Sequence, residues 1–259
     1  MRERNGRAND ERADAAVSGL EPDSLEVYLL GIVDFDSALT LQERFHAEVA
    51  WRTDGSGVLL VAEHPPLVTI GRDGRSTDLA DTPQELKRQH GVGVRWVSRG
   101  GGTVVHGPGQ LAVYCILPLK RLNVGLAEFR RRLETVLVET VEQVRVPAVN
   151  TRAGVAVRGK DGKNKMVGWV GAAVSDGVSR FGLFLNVGPD LFLTRRLLAD
   201  RVGSAVTSLE SERQLRTLMH TVRQTLVERL AERFSYHRWH VYSGHPLLKR
   251  VRKPIREFV

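Results

Sequence analysis

The chain has 259 residues, 42% of them hydrophobic, which suffices for one large α/β domain with or without a small appendage. Its formal net charge is +8, but only 6% of its residues are aromatic, which argues against nucleic-acid binding, where clustered basic and aromatic side chains are expected. No apolar stretch reaches the roughly 20 residues that span a bilayer, and a single cysteine, Cys115, excludes an internal disulfide. We therefore expect a cytoplasmic protein that acts without a membrane or a nucleic acid.

The hydrophobic pattern up to Leu117 predicts alternating strands and helices. Residues 1–23 are polar, with charges of both signs, and predict a disordered leader. The pattern then predicts strands at Leu25–Val33, Gly57–Ala62 and Val68–Ile70, a helix at Ser37–Arg52 capped by Asp36 or Ser37, and a short helix opened by Thr82-Pro83-Gln84-Glu85. Strands at Val94–Val97 and Leu111–Leu117 flank a glycine-rich turn.

The second half predicts a long core helix, three short strands and a last helix. Apolar residues recur at steps of three and four from Leu126 to Val144. Strands are predicted near Gly154–Val157, Met166–Val174 and Gly182–Val187, and a capping box at Thr207–Glu210 opens a helix with Leu215, Leu218, Met219, Val222, Leu226 and Leu230 inward. Residues 235–259 predict a basic, solvated extension without metal-ligand spacing. We expect one α+β domain over residues 24–234, a mixed β-sheet with flanking helices.

The segment Arg99–Gln110, which reads RGGGTVVHGPGQ, carries the strongest functional signal. Its five glycines let the backbone turn sharply and approach a ligand closely. A rigid turn with one cation and one imidazole, leading into a buried strand, is typical of a pocket wall. We therefore expect a ligand site at this turn.

Three segments in this order, Glu63–Arg72, Arg99–Gln110 and Arg180–Val187, resemble the octanoyltransferases of protein lipoylation. These enzymes form a branch of the biotin/lipoate protein ligase superfamily, and the resemblance covers roughly residues 25 to 210, with weaker matches at Thr82–Leu86 and Gly154–Val157. It implies a biotin/lipoate protein ligase-like catalytic domain that moves an octanoyl group from acyl carrier protein to a lysine of a lipoyl domain, with no cofactor or metal. The basic charge is either scattered over a solvated surface or forms a rim for an acidic partner. The resemblance favours the rim, since both carriers are typically acidic in this family.

The resemblance also implies an acyl-binding slot. Its substrate-contacting segments correspond to Arg99, Gly100, Gly101, Gly102, Thr103, Val104, Val105 and His106, together with Val170, Gly171, Gly182, Leu183 and Phe184. His106 either hydrogen-bonds the acyl carbonyl or ties the turn together. Arg99 and Arg72 each either orient a phosphopantetheine phosphate or pair with a local carboxylate.

The nucleophile that the resemblance implies is missing. A cysteine is expected about ten residues after Asp190, where this chain has Asp200, and counting back from Val206 reaches Ala199 instead. Cys115 falls in a predicted core strand and is interpreted as a buried, unreactive thiol. Asp200 is therefore the candidate catalytic group near this position.

The catalytic lysine of the family is displaced as well. It is expected on a strand five positions before Gly171, which is Met166 in this chain, with Lys165 one residue away. A shift of one residue turns a strand side chain to the other face, so a bulge within Val167–Trp169 would be needed to restore Lys165. Phe181 also replaces a histidine that the family usually has.

Three functions remain open. The first is an acyltransferase without covalent catalysis, in which Lys165 or a carboxylate such as Asp200 deprotonates the incoming amine for direct attack on the thioester. The second is a binding protein that holds a lipoyl domain, an acyl carrier or an acyl ligand without turnover. The third, an ATP-dependent ligase, is disfavoured because Arg99–Gln110 resembles the transferase branch.

Overall fold

The computed structural model describes residues 24–159, 162–203 and 205–248 and, for residues 200 and 201, the backbone alone. The leader expected at residues 1–23 lies outside these ranges, as do the basic residues 249–259. Within them the strands are β1 (Leu25–Ile32), β2 (Gly57–Glu63), β3 (Leu67–Ile70), β4 (Gly93–Trp96), β5 (Thr103–His106), β6 (Gln110–Ile116), β7 (Ala148–Thr151), β8 (Gly154–Arg158), β9 (Asn164–Ser175), β10 (Val178–Asn186) and β11 (Trp239–Ser243). The helices are α1 (Phe35–Trp51), α2 (Pro83–His90), α3 (Leu126–Gln143), α4 (Leu191–Leu197), α5 (Asp200–Gly203), α6 (Leu209–Arg213) and α7 (Met219–Arg233).

Two mixed sheets organise the fold and confirm the α+β class. The large sheet has eight strands in the order β11-β1-β2-β6-β10-β9-β8-β7, and the small sheet has three in the order β4-β3-β5. Strand β1 pairs in parallel with β2 and β11, whereas the remaining pairs of the large sheet are antiparallel. Among the described helices none is long and apolar enough to cross a membrane.

Helices cover both faces of the large sheet, so its central strands are apolar throughout. The predicted stripe of α3 packs with α7 on one face, where the strands contribute alternate residues such as Leu59 and Leu183. Helix α1 covers the other face, where Leu60 and Phe184 point. This arrangement explains why β2 and β6 read as continuous apolar runs rather than as alternating patterns.

Helix caps were predicted with mixed success. Thr82 caps α2 as expected. Its hydroxyl accepts the backbone N–H of Glu85, and the carboxylate of Glu85 accepts the backbone N–H of Thr82. Helix α1 begins earlier than expected, because the carboxylate of Asp34 accepts the N–H of Ser37 at 3.0 Å. The aromatic ring of Phe35 is buried in the first turn, which extends the helix beyond the predicted start.

The last predicted helix is interrupted. Gln214 adopts a left-handed conformation with φ +52°, which ends α6, and a second helix, α7, begins five residues later. Leu215 and Leu218, expected to point inward, are therefore exposed by 60% and 57%. Sequence periodicity missed the break because a left-handed residue changes the direction of the chain without changing its polarity pattern.

The C-terminal residues extend the large sheet instead of forming only a solvated tail. Strand β11 pairs in parallel with β1, in the register Leu25 to Trp239, although its own side chains are exposed. The hydroxyl of Tyr236 donates to the carbonyl of Gly55 at 3.0 Å and anchors the approach to this strand. Residues up to Ser243 thus continue the sheet beyond the boundary expected at 234, because β1 offers a free edge that sequence patterns do not reveal.

Candidate active site

A cavity of about 760 Å³ lies between the glycine-rich segment, β9 and the α4–α5 region. Its apolar wall comprises Val105, Met166, Trp169, Val170, Leu198, Val202 and Val206. Its polar lining comprises Asp73, Asp78, Thr103, Arg130, Arg152, Asn186 and Thr194. An apolar wall with a few convergent polar groups is typical of a small-molecule site.

The predicted glycine-rich turn is partly a strand. Residues 103–106 form β5, paired antiparallel with β3, because Thr103, Val104 and Val105 are β-branched and buried. Gly101 keeps the turn tight at φ +80°, and its N–H donates to Oδ2 of Asp73 at 2.9 Å. The turn therefore presents Gly101, Gly102 and the start of β5 to the cavity.

The backbone N–H of Gly102 makes no hydrogen bond with any residue that the structure describes, and a Cβ at this position would meet open space. Its neighbours differ, since the N–H of Gly100 donates to the carbonyl of Ala172 and that of Gly101 to Asp73. A free backbone donor on the wall of an apolar cavity can stabilise a developing oxyanion. Gly102 thus presents an available backbone donor to a ligand carbonyl on this side of the cavity.

Strand β9 contains a bulge within Val167–Trp169, where one would be needed to restore Lys165, but the bulge does not bring Lys165 to the cavity. Val155 pairs with Gly168 and Ala156 pairs with Met166, so Val167 is an extra residue in β9. The side chain of Val167 is buried on the α3 face, and Met166 and Trp169 both line the cavity. The position that the family gives to lysine is therefore occupied by a thioether.

Lys165 lies on the other face of the sheet. It pairs with Val157, whose side chain is buried in the cluster that packs against α3 and α7. Directly opposed residues of an antiparallel pair point to the same face. The structure therefore places Lys165 on the face opposite to Met166, because the extra residue follows Met166 and leaves the alternation between Lys165 and Met166 intact; a catalytic role of Lys165 stays a prediction that this geometry does not favour.

Arg99 is buried beneath the turn and neither points to the cavity nor pairs with a carboxylate. Its Nη2 donates to Oγ1 of Thr69 at 2.8 Å, its Nη1 donates to the carbonyl of Gly100 at 3.0 Å, and its guanidinium lies 5.4 Å from the ring centre of Phe184. Its Nε has no acceptor among the residues that the structure describes. Burial lowers the pKa of Arg99 to about 10, so the guanidinium stays charged at neutral pH.

His106 is locked by two hydrogen bonds. Thr69 accepts from Arg99, so its hydroxyl hydrogen is donated to Nε2 of His106 at 2.8 Å. The ring proton therefore sits on Nδ1 and is donated to Oε1 of Gln110 at 2.7 Å. Burial, with the nearby His64 and Arg99, lowers the pKa of His106 well below its ordinary value. Of the two roles expected for His106, the geometry fits tying the turn together, since neither ring nitrogen is left for an acyl carbonyl.

The same chain of hydrogen bonds ends at the cavity. Nε2 of Gln110 donates to the carbonyl of Val105 at 2.8 Å and to Oδ1 of Asn186 at 2.9 Å. Nδ2 of Asn186 donates in turn to the carbonyl of Thr207 at 3.0 Å. We call the series Arg99–Thr69–His106–Gln110–Asn186 the buried polar chain. It fixes Asn186, which lines the cavity, to the glycine-rich turn.

The other residues expected in the slot support it from behind. Gly171 allows the side chain of Arg99 to pass, since a Cβ there would lie 2.6 Å from Cδ of Arg99. A Cβ on Gly182 would lie 2.3 Å from the carbonyl oxygen of Val113. The residues that the structure does not bring to the cavity wall are Arg72, Arg99, Gly100, Val104, His106, Gly171, Gly182, Leu183 and Phe184. Those that it does bring there are Gly101, Gly102, Thr103, Val105 and Val170.

The two positions linked to the missing nucleophile have different outcomes. Asp200 begins α5, and its side chain lies outside the described part of the structure. Ala199 lies between Leu198 and Val202, which both line the cavity, and its N–H donates to the carbonyl of Asp78. Cys115 is fully buried in β6, and burial raises the pKa of its thiol, as expected for an unreactive core cysteine.

Sequence reasoning missed the charged lining of the cavity. Asp73 and Asp78 flank the glycine-rich turn, whereas Arg130 and Arg152 come from α3 and from the turn between β7 and β8. None of the four belongs to a motif, and only chain folding brings them together. Asp78 is held in place, since its carboxylate accepts the Thr103 hydroxyl at 2.8 Å.

The two sheets, the helices on both faces of the larger sheet and the cavity define an α+β domain with a site of small-molecule size. Solved structures of similar fold include a bipartite lipoate protein ligase from Thermoplasma acidophilum, with a TM-score of 0.66 and 14% identity over 87% of this chain and 89% of that one. A lipoate-protein ligase A bound with ATP has the same TM-score, with 15% identity over 86% of this chain and 90% of that one. At such low identities the likeness shows the fold alone.

The chain belongs to the lipoyl protein ligase A/B catalytic domain family, whose model matches residues 34–231. Its relatives include an octanoyltransferase from Geotalea uraniireducens, 37% identical over 71% of this chain and 80% of that protein. The mitochondrial octanoyltransferase LIP2 of Arabidopsis thaliana is 30% identical over 83% of this chain and 91% of that protein. The family expected from the three sequence segments is thereby confirmed.

Proposed function

We propose that this protein transfers an octanoyl group from acyl carrier protein to the lysine of a lipoyl domain, without forming an acyl-enzyme. The observation that carries the proposal is the cavity itself, which has an apolar wall and a Gly102 N–H without a partner, and whose lining residues, as far as the structure describes them, include neither a thiol nor a lysine. Octanoyltransferase relatives at 30–37% identity support the acyl group and the reaction class. A cytoplasmic location stays a prediction.

Direct transfer needs three contributions from the chain. The apolar wall holds the acyl chain and the Gly102 N–H binds the thioester oxygen, which becomes negative as the amine attacks. The carboxylate of Asp73 lies beside the turn and orients the incoming lysine ammonium. The ammonium first loses one proton to solvent, and the neutral amine nitrogen then bonds to the carbonyl carbon. The carbon–sulfur bond breaks, and the second proton lost by the nitrogen ends on the departing thiolate. Positioning the two reactants can supply a large share of the rate enhancement.

The test is an intact-mass assay with octanoyl-loaded acyl carrier protein and an apo lipoyl domain, in the absence of ATP. We expect one octanoyl group on the lipoyl domain, above a control without enzyme, and none on this protein. The variant Cys115→Ala should retain transfer, because its thiol is buried away from the cavity. An octanoyl group on this protein during turnover would contradict direct transfer.

A matched pair of variants tests the cavity. Gly102 lines it and has space for a side chain, so Gly102→Leu fills the site without backbone strain. Gly107 has equal space for a side chain but does not line this cavity, so Gly107→Leu is the control. We expect Gly102→Leu to abolish transfer and Gly107→Leu to retain it. Equal activities would place the reaction elsewhere.

The second candidate is a binding protein without turnover. It is favoured by one observation, the presence of Met166 on the cavity wall where the family is expected to have its lysine. It predicts no octanoylation of the lipoyl domain, while a pull-down still captures the acyl carrier or the lipoyl domain. Transfer above the control would exclude it.

A further inference from the structure

The end of the cavity remote from the glycine-rich turn carries two arginines. Arg152 lies in the turn between β7 and β8, and Arg130 lies in the first half of α3; both line the cavity. Nη2 of Arg130 donates to the backbone carbonyl of Arg152 at 3.0 Å, which holds the two residues together. We call this pair the arginine end of the cavity.

The charge of the arginine end is only partly balanced. Nε of Arg130 pairs with Oε1 of Glu134 at 2.8 Å. The guanidinium of Arg152 has no ion pair or hydrogen bond within the described ranges of the chain. The carboxylates that line the cavity, Asp73 and Asp78, lie at the other end, where they accept from Gly101 and Thr103. An unpaired cation on the wall of an acyl cavity indicates an anionic group on the ligand.

Strand β9 separates the two ends. A Cβ on Gly101 would lie 3.2 Å from the carbonyl of Val170, whereas the side chain of Met166 contacts Thr151, which precedes Arg152. Because Val167 is the extra residue of the bulge, the strand advances from Met166 to Val170 by about three extended residues, or about 10 Å. A carboxylate or carbonyl group bound at the Gly102 N–H therefore cannot also reach the arginine end. The anionic group that binds at the arginine end is thus a different group of the ligand. It belongs to a separate arm of the ligand.

We propose that Arg152, with Arg130 beside it, binds the phosphate of an acyl donor whose thiol-bearing arm ends in a phosphate. This inference rests on the proposed function and specifies how the donor is recognised. Arg99, which sequence reasoning offered for this task, is buried beneath the turn and cannot reach such a group. Arg152 instead lies at the surface, and its guanidinium has no partner among the residues that the structure describes.

The experiment compares the binding of octanoyl-pantetheine with that of octanoyl-4′-phosphopantetheine, two thioesters that differ only in the phosphate. We expect the wild-type protein to bind the phosphorylated thioester at least about tenfold more tightly by calorimetry, which matches a charge-assisted contact. Arg152→Gln should reduce this advantage to less than about twofold and leave the affinity for octanoyl-pantetheine unchanged. The control is Arg158→Gln, an exposed arginine of β8 that does not line the cavity and should change neither affinity.

Three outcomes would overturn the inference. One is equal affinity of the wild-type protein for the two thioesters, and another is an equal loss of both affinities in Arg152→Gln. The third is tight binding of free octanoate that depends on Arg152, which would assign the arginine end to a fatty-acid carboxylate. Because these are binding constants, the result is separate from that of the octanoyl-transfer assay, which tests the proposed function on its own.

Discussion

The hydroxyl oxygen of Thr69 lies 2.8 Å from Nε2 of His106, and both residues are buried. This contact is the centre of the buried polar chain, because the same hydroxyl accepts a hydrogen bond from Arg99. The directions of the hydrogen bonds follow from the two ends: the guanidinium of Arg99 can only donate, and the Oε1 of Gln110 can only accept, so the neutral ring of His106 donates from Nδ1 and accepts at Nε2. The motif residues Arg99 and His106 are thus joined through Thr69 and hold the shape of the turn.

Removing the Thr69 hydroxyl should destabilise the fold. Thr69→Val keeps the shape of the side chain but leaves Arg99 and His106 each without one buried partner, which costs about 2 kcal/mol in the free energy of unfolding. Thr69→Ser keeps the hydroxyl and loses one methyl group, for about 1 kcal/mol. Urea unfolding of the two variants provides the measurement. A Thr69→Val variant as stable as the wild type would show that the chain contributes nothing.

Stability should decrease on mild acidification. Burial lowers the pKa of His64 to about 4. Burial is also the main reason that the pKa of His106 lies well below its ordinary value. The unfolded chain therefore binds more protons than the folded one below about pH 6.5, so the free energy of unfolding is highest above that pH and decreases towards pH 4. Urea midpoints measured between pH 7.5 and pH 4.5 check this decrease.

A variant measures how much of this pH dependence of the free energy of unfolding comes from one histidine. In His64, Nδ1 donates to the carbonyl of Val33 and Nε2 accepts from the hydroxyl of Tyr114, so protonation would break the second bond. The slope of the free energy of unfolding against pH is proportional to the number of protons taken up on unfolding, and His64→Gln should reduce that number by up to one. His220, an exposed residue of α7, is the control, and His220→Gln should leave the slope as it is. The interpretation fails if both variants keep the full slope.

Two glycines of the motif should respond differently to alanine. Gly109 has φ +93°, and a Cβ there would lie 2.3 Å from the carbonyl oxygen of Gly188, so Gly109→Ala combines backbone strain with a clash. We expect a loss of about 2 kcal/mol or more. A Cβ on Gly107 would meet nothing within 4 Å, so Gly107→Ala should stay within about 0.5 kcal/mol of the wild type. Thermal unfolding compares the pair, and equal losses would refute the argument.

Restoring the expected catalytic pair should change the chemistry. The double variant Met166→Lys/Ala199→Cys places an amine on the cavity wall and a thiol between two wall residues, Leu198 and Val202. We expect octanoyl-loaded acyl carrier protein to acylate this double variant, which intact mass would detect, whereas the wild-type protein stays unmodified. The single variant Met166→Lys is the control without a thiol. An unmodified double variant would mean that this cavity does not receive the thioester.

The fold class and family could be predicted from short segments because their signals are local. Thr82 and Glu85 form the expected capping box, and the stripe of α3 is buried as its periodicity indicates. The break at Gln214 and the edge strand β11 escaped prediction. The first depends on the conformation of one residue, and the second on a partner strand more than two hundred residues away.

By itself the sequence determined most of the elements, the α+β class, the family, and the absence of a cysteine where the family is expected to have one. Only the tertiary structure decided the site. Cross-strand pairing fixed Val167 as the extra residue of β9 and so turned Met166, not Lys165, to the cavity. Long-range packing buried Arg99 and brought Arg152 to the cavity wall. Local patterns encode which residues favour a strand, whereas the face each residue occupies and the charges it meets depend on register and burial set by distant segments.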